Sequence, residues 1–160
     1  TVDYVLDKVG FGNLVKARRK YIQPFESVKY KSVEFTAFPV YHPHLNDGLN
    51  IRPVGYMFKL GGAKLVITGD TGINIPEESL RLINEPDVLV ADAFISYPKH
   101  FLDHHMTVEE AVRLAEQLGA RKTILVHLTH ANPPHAELQR KVDPTAEKII
   151  VGYDTLKLKI

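Results

Sequence analysis

Leu65-Val66-Ile67-Thr68-Gly69-Asp70-Thr71-Gly72 is the stretch whose reading decides how this chain is organised. Leu65 to Thr68 is a compact apolar run bounded by glycines, which predicts a short buried strand. Gly69 lets the backbone turn sharply, so Asp70 is delivered at the strand's end. A carboxylate there costs free energy unless something pairs with it. A lone Gly-Asp is usually a turn in which the aspartate bonds its own backbone. Here other apolar runs end in the same way, on His42, Asp92 and His127.

The elements on either side follow from pattern and turn chemistry. Val33 to Val40 alternates and is rich in β-formers, predicting a strand that ends at Tyr41-His42-Pro43-His44. Val54 to Leu60 reads as the next strand, and Gly61-Gly62 as a tight hairpin turn into the Leu65 run. Pro76-Glu77-Glu78-Ser79 opens a short helix through about Asn84. Asp87 to Ala91 is a buried-looking strand ending on Asp92. Thr107 and Glu110 have capping-box spacing, and Val108, Ala111, Val112, Ala115 and Leu118 share one helical face before Gly119 stops the run. Lys122 to Val126 is a strand ending on His127, Pro133-Pro134 starts a helix through Val142, and Lys148–Tyr153 with Thr155–Ile160 read as a closing pair of strands. Upstream, Val2 to Val9 suggests a short helix, Lys16 to Lys20 a solvated basic run, and Val28 to Tyr30 a strand. With no repeat, linker or low-complexity segment, residues 1–160 are expected to form a single domain.

Composition narrows the classes. The chain has 160 residues, 44% apolar and 24% charged, which is ordinary for a globular domain with its own core. A net charge of +1 argues against a strong nucleic-acid field. The absence of cysteine removes disulfides, thiol nucleophiles and thiolate-held zinc together. No apolar run is long enough to span a bilayer and no signal peptide is visible, so a cytoplasmic protein without a membrane partner is expected. The first residue is Thr1, which suggests a trimmed, processed or partial chain. All eight histidines lie between positions 42 and 135, most of them in close groups.

In sheets with covered faces, ligands collect outside strand ends, where the apolar run stops and the loops are free. If the four ionisable strand ends share one edge, imidazoles and a carboxylate can converge on a cation, and Asp70 is the candidate bridging ligand. His44 competes with His42 for the same role. Asp92 reads equally as a buried loop anchor and as a residue supporting the ligands. His127, at the edge of a core strand, needs partners for both ring nitrogens. His105 stands two residues before the Thr107 cap, where a helix N-terminus attracts an anion, and its imidazole could pass a proton to a leaving oxygen. His100 and His104 read as exposed loop histidines.

Pro39-Val-Tyr-His42, Gly55-Tyr56, Ile67-Thr-Gly-Asp-Thr71, His105-Met-Thr107 and Leu125-Val-His127-Leu-Thr-His130 together resemble, in order, the second half of a metallo-β-lactamase-fold hydrolase. They are most similar to the phosphodiesterase branch, which includes the tRNA 3′-end-processing nuclease RNase Z and the phosphoribosyl cyclic-phosphate phosphodiesterases. The resemblance implies an α/β fold, an αββα sandwich lacking its first part. It implies two divalent metal ions, Zn²⁺ or Mn²⁺, that activate a hydroxide for phosphodiester hydrolysis. His42 and His127 would each hold one ion and Asp70 would bridge them. His105 would act in catalysis, His130 would touch substrate, and Asp92 would stand behind the ligands. The family's first motif, His-x-His-x-Asp-His, is not in this chain. Each ion would then keep about two protein ligands, fewer than the usual three, so weak metal binding and little turnover are expected of the chain alone. The alternative is a non-catalytic or partner-requiring module of the same fold, completed by a second copy or by a missing N-terminal half. A small phosphodiester is favoured over tRNA as substrate.

Overall fold

The glycine pair at 61–62 sets the register of the antiparallel half of the sheet. Both residues have positive φ, 56° and 93°, the backbone a two-residue hairpin connection requires. They join strand β3 (Val54–Leu60) to strand β4 (Ala63–Ile67) with Leu60 opposite Ala63. The computed structural model describes residues 21–43, 52–96 and 103–159. Within them β1 (Ser27–Tyr30), β2 (Val33–Pro39), β3 and β4 form an antiparallel meander. The direction then changes: β5 (Val88–Asp92), β6 (Lys122–Val126) and β7 (Ile149–Val151) continue from β4 in parallel, making one seven-stranded sheet in sequence order.

Each parallel step needs a crossover, and each carries a helix: α1 (Glu77–Ile83), α2 (Val108–Gln117) and α3 (His135–Val142). Successive crossovers of one hand in one direction put all three helices on the same face. The core shows this, because Ile83, Leu114 and Leu138 from the helices are buried with Phe38, Met57, Val66, Leu89 and Leu125 from the sheet. The capping box at the start of α2 forms as the sequence predicts: the Glu110 N–H donates to Thr107 Oγ1 at 3.1 Å and the Thr107 N–H to Glu110 Oε2 at 2.8 Å.

The α/β class is as expected. Alternation places Phe58, Tyr56, Leu65, Ile67, Val90 and Ile124 on the face opposite the helices, where they are half-buried or exposed rather than part of the core. The expected second closing strand does not form over 155–159. Leu156 and Leu158 keep the alternation of a strand, but the chain turns after Tyr153, with Thr155 at φ 71° and the Leu156 N–H on Tyr153 O. Alternation supplies a side-chain face, whereas a strand also needs a backbone partner. The Val2–Val9 helix, the Lys16–Lys20 run, His44 and His100 lie outside the described residues. Among the described residues no helix is long and apolar enough to cross a membrane.

Direction decides where the chemistry collects. β2 and β4 are each antiparallel to β3 and therefore run the same way, and β5 and β6 run parallel to β4. The four strands that lead to His42, Asp70, Asp92 and His127 thus all end on one edge.

Candidate active site

Asp92 is the floor of the site. Its side chain is fully buried at the end of β5, and its carboxylate is satisfied. Oδ2 accepts the Thr71 N–H at 2.8 Å and lies 2.7 Å from His105 Nδ1, and Oδ1 lies 3.4 Å from His127 Nδ1. The Asp92 N–H donates to Thr68 Oγ1 at 3.1 Å, which closes β4 onto β5 just beyond the ladder. A carboxylate oxygen that already accepts one N–H makes His105 Nδ1 the donor, leaving Nε2 as that ring's acceptor. The His105 ring is also fixed from the side, stacked on Phe94 at 4.7 Å and 13°.

His127 reaches the cluster through an uncommon backbone. Its φ is 63°, a left-handed conformation that β-branched residues avoid and histidine tolerates better. The bend after Val126 lays its ring 4.8 Å from His105 and brings Nδ1 to 3.7 Å from Asp70 Oδ1. Asp70 is exposed and follows Gly69, also at φ 63°. His42 comes from the β2 end, with its ring 5.0 Å from that of His105. His42 and His127 therefore both lie against His105.

Asp70, Asp92, His105 and His127 each offer one ligand atom, and these atoms lie within 4.8 Å of one another. Oxygen and imidazole donors with no sulfur suit divalent ions of hard to borderline character, so the chemistry of the set fits the divalent metal binding the fold implies. His130 is exposed in the turn beyond His127 and is not one of these four.

His104 corrects the sequence reading. Rather than an exposed loop histidine, it is half-buried, with its ring 5.3 Å from His42 and 4.8 Å from His105. Adjacent side chains would diverge in an extended segment, but residues 103–105 are bent, so both rings fold to one side. Asp103 holds the rim: its Oδ2 accepts from the Tyr41 hydroxyl at 3.3 Å and its Oδ1 is 3.8 Å from His104 Nδ1. The negative charge of Asp103 pushes the Tyr41 phenol above its ordinary range, with partial burial and the hydrogen bond adding to the effect. Thr68 and Thr71 were not singled out by the sequence, because a threonine that grips a neighbouring strand end has no spacing signature.

Ribonuclease Z of Saccharomyces cerevisiae is 28% identical to this chain over 98 residues, covering 58% of this chain and 12% of that protein. An uncharacterised protein of Mycobacterium bovis is 34% identical over 90 residues, 56% of this chain and 30% of that one. A crystal structure of a diphosphatase from the PhnP family superposes with a TM-score of 0.73 at 25% identity, over 99% of this chain and 54% of that chain. Zn²⁺-bound PqqB from Methylobacterium extorquens shares the fold, with a TM-score of 0.74 at 17% identity over 98% of this chain and 59% of its own. The chain thus spans 12% and 30% of these two sequence relatives and just over half of the diphosphatase. Residues 6–128 match the model of the beta-lactamase superfamily domain, a span that includes every clustered side chain from His42 to His127, and the chain belongs to that superfamily.

Proposed function

We propose that this chain supplies the C-terminal part of a metal-dependent phosphodiesterase site. The observation that carries this reading is the approach of Asp70, Asp92, His105 and His127 donor atoms to within 4.8 Å at one sheet edge, with His42 on the same patch. His42, Asp70 and His127 would hold the divalent ions, two of them if the site follows the resemblance, and Zn²⁺ or Mn²⁺ suits the donors. When bound, such ions supply positive charge for phosphoryl oxygens and make water more acidic. Asp92 holds the His105 ring with Nδ1–H on the carboxylate, so Nε2 would first take the proton released by the attacking water and then pass it to the departing alkoxide. His130, at the rim, contacts the remainder of the substrate. A small phosphodiester fits better than a tRNA, since a net charge of +1 provides no broad basic field.

A second observation favours a partner-requiring form of the same reading. Parallel strands are normally covered on both faces, yet Leu65, Ile67, Val90 and Ile124 are only half-buried opposite the helices. Together with the chain's 54% share of the diphosphatase, this favours completion of the site by further polypeptide, either an upstream half or a second copy. The test is to titrate the chain with Zn²⁺ and Mn²⁺ and to assay bis(4-nitrophenyl) phosphate with and without the upstream half. Weak cation binding by the chain and turnover on adding the upstream half are expected. No cation binding in either state, or binding unaffected by Asp70→Ala, would sink the proposal.

A further inference from the structure

β2 and β4 are not neighbours: β3 lies between them, so their ends stand about 10 Å apart where the ladder is regular. Past the start of β3 the two chains close over the gap and bond directly. The Gly72 N–H donates to Tyr41 O at 2.7 Å. The Tyr41 N–H donates to Thr71 Oγ1 at 3.1 Å, and Thr71 Oγ1 lies 3.2 Å from Tyr41 O and 2.9 Å from Gly72 O, where its own proton is taken up. Thr71 is completely buried, and its backbone N–H is the one that Asp92 accepts. Tyr41 precedes His42, and Asp70 precedes Thr71. One small side chain therefore links the segment carrying His42 to the segment carrying Asp70.

We propose that Thr71 is a positioning residue whose hydroxyl fixes where His42 stands relative to Asp70, and so whether both can serve the same cation site. The part concerning cations rests on the phosphodiesterase reading above. Valine matches threonine in shape, keeps the backbone N–H on Asp92 and leaves the Gly72–Tyr41 bond intact, so Thr71→Val removes the hydroxyl link alone. Thr71→Ser keeps a hydroxyl and serves as the rescue.

The full chain and both variants are compared by imidazole ¹H–¹⁵N NMR without metal, by Zn²⁺ titration and by thermal melting. In T71V the His42 ring signals are expected to move while those of His127 hold, and Zn²⁺ affinity to fall about 10-fold or more, as when other supports of metal ligands are removed. In T71S both stay near wild type. Unmoved His42 signals in T71V overturn the proposal, as do equal losses in T71V and T71S that track their melting temperatures. If the wild-type chain alone takes up no Zn²⁺, the part concerning cations fails for this chain while the phosphodiesterase reading still awaits its own test, and the His42 signals of T71V decide whether Thr71 positions that ring.

Discussion

Asp92 Oδ2 lies 2.7 Å from His105 Nδ1, although the two residues are 13 positions apart and reach the site from a strand end and a helix approach. The same oxygen holds the Thr71 N–H, and the carboxylate's other oxygen faces His127. Asp92→Asn keeps the shape and removes the charge. An amide has one oxygen, so it cannot accept from Thr71 on one side and offer an acceptor to His127 on the other. The variant is expected to be less stable by about 1–3 kcal/mol, the cost of leaving buried polar groups poorly paired. The His127 ring, which would face an amide NH₂ in place of a carboxylate oxygen, should also change its tautomer or orientation. Urea unfolding and imidazole NMR check both; unchanged stability with an unchanged His127 spectrum would remove Asp92 as the organiser of the site.

A ligand that binds only the folded chain stabilises it, by about 2.7 kcal/mol when present at a hundred times its Kd. Adding Zn²⁺ or Mn²⁺ is therefore expected to raise the melting temperature, and a chelator to reverse the rise. Asp70 is exposed and approaches His127 at 3.7 Å, so Asp70→Ala should leave the metal-free melting temperature nearly unchanged. It should abolish most of the rise. A rise of equal size in the variant would place the ion elsewhere.

The strand ends were legible because each breaks an apolar run with an ionisable residue: Ile67 leads through Thr68-Gly69 to Asp70, Ala91 to Asp92, Val126 to His127. Their convergence follows from strand direction, since β2, β4, β5 and β6 run one way. Capping at Thr107 was legible for the same local reason. His104 was not, because the bend at 103–105 that turns its ring inward is set by tertiary contact, including that of Asp103 with Tyr41. Nor was the unpaired run 155–159, whose alternation says nothing about whether a neighbouring backbone is within reach.

Gly72 is held against two other site loops. A β-carbon built there would collide with the Asp103 carbonyl oxygen and come within 3.1 Å of the Tyr41 ring. Backbone cannot yield as a flexible side chain does, so Gly72→Ala must push the loop carrying His104 and His105 away. A loss of about 1–3 kcal/mol is expected, as for other overpacked sites. The ring contacts among His42, His104 and His105 should loosen with it. A crystal structure of G72A with residues 103–106 in place and unfolding like wild type would contradict this.

The acid sensitivity of the fold should trace in part to Asp143. This residue caps the C-terminal end of α3, where the helix dipole disfavours a negative charge. What outweighs the dipole is the loop leading to β7: the carboxylate accepts the N–H groups of Thr145, Lys148 and Ile149, each at 2.9 Å, and the Thr145 hydroxyl at 2.7 Å. These bonds, with the Ile149 N–H contributing most and the Thr145 hydroxyl next, hold the Asp143 carboxyl well below its ordinary 3.8. A carboxyl depressed on folding stabilises the native state fully above the unfolded value and loses that contribution as pH falls toward the folded value. Asp143→Asn lacks the charge at every pH. The gap in urea midpoint between wild type and D143N should therefore be widest above about pH 5 and should narrow steadily below about pH 4. Because Asp143 ties α3 to β7, away from the His and Asp cluster, D143N should leave Zn²⁺ binding unaffected. A gap in urea midpoint that stays constant as the pH is lowered would mean that the loop geometry, and not the ionised carboxylate, is what holds this connection.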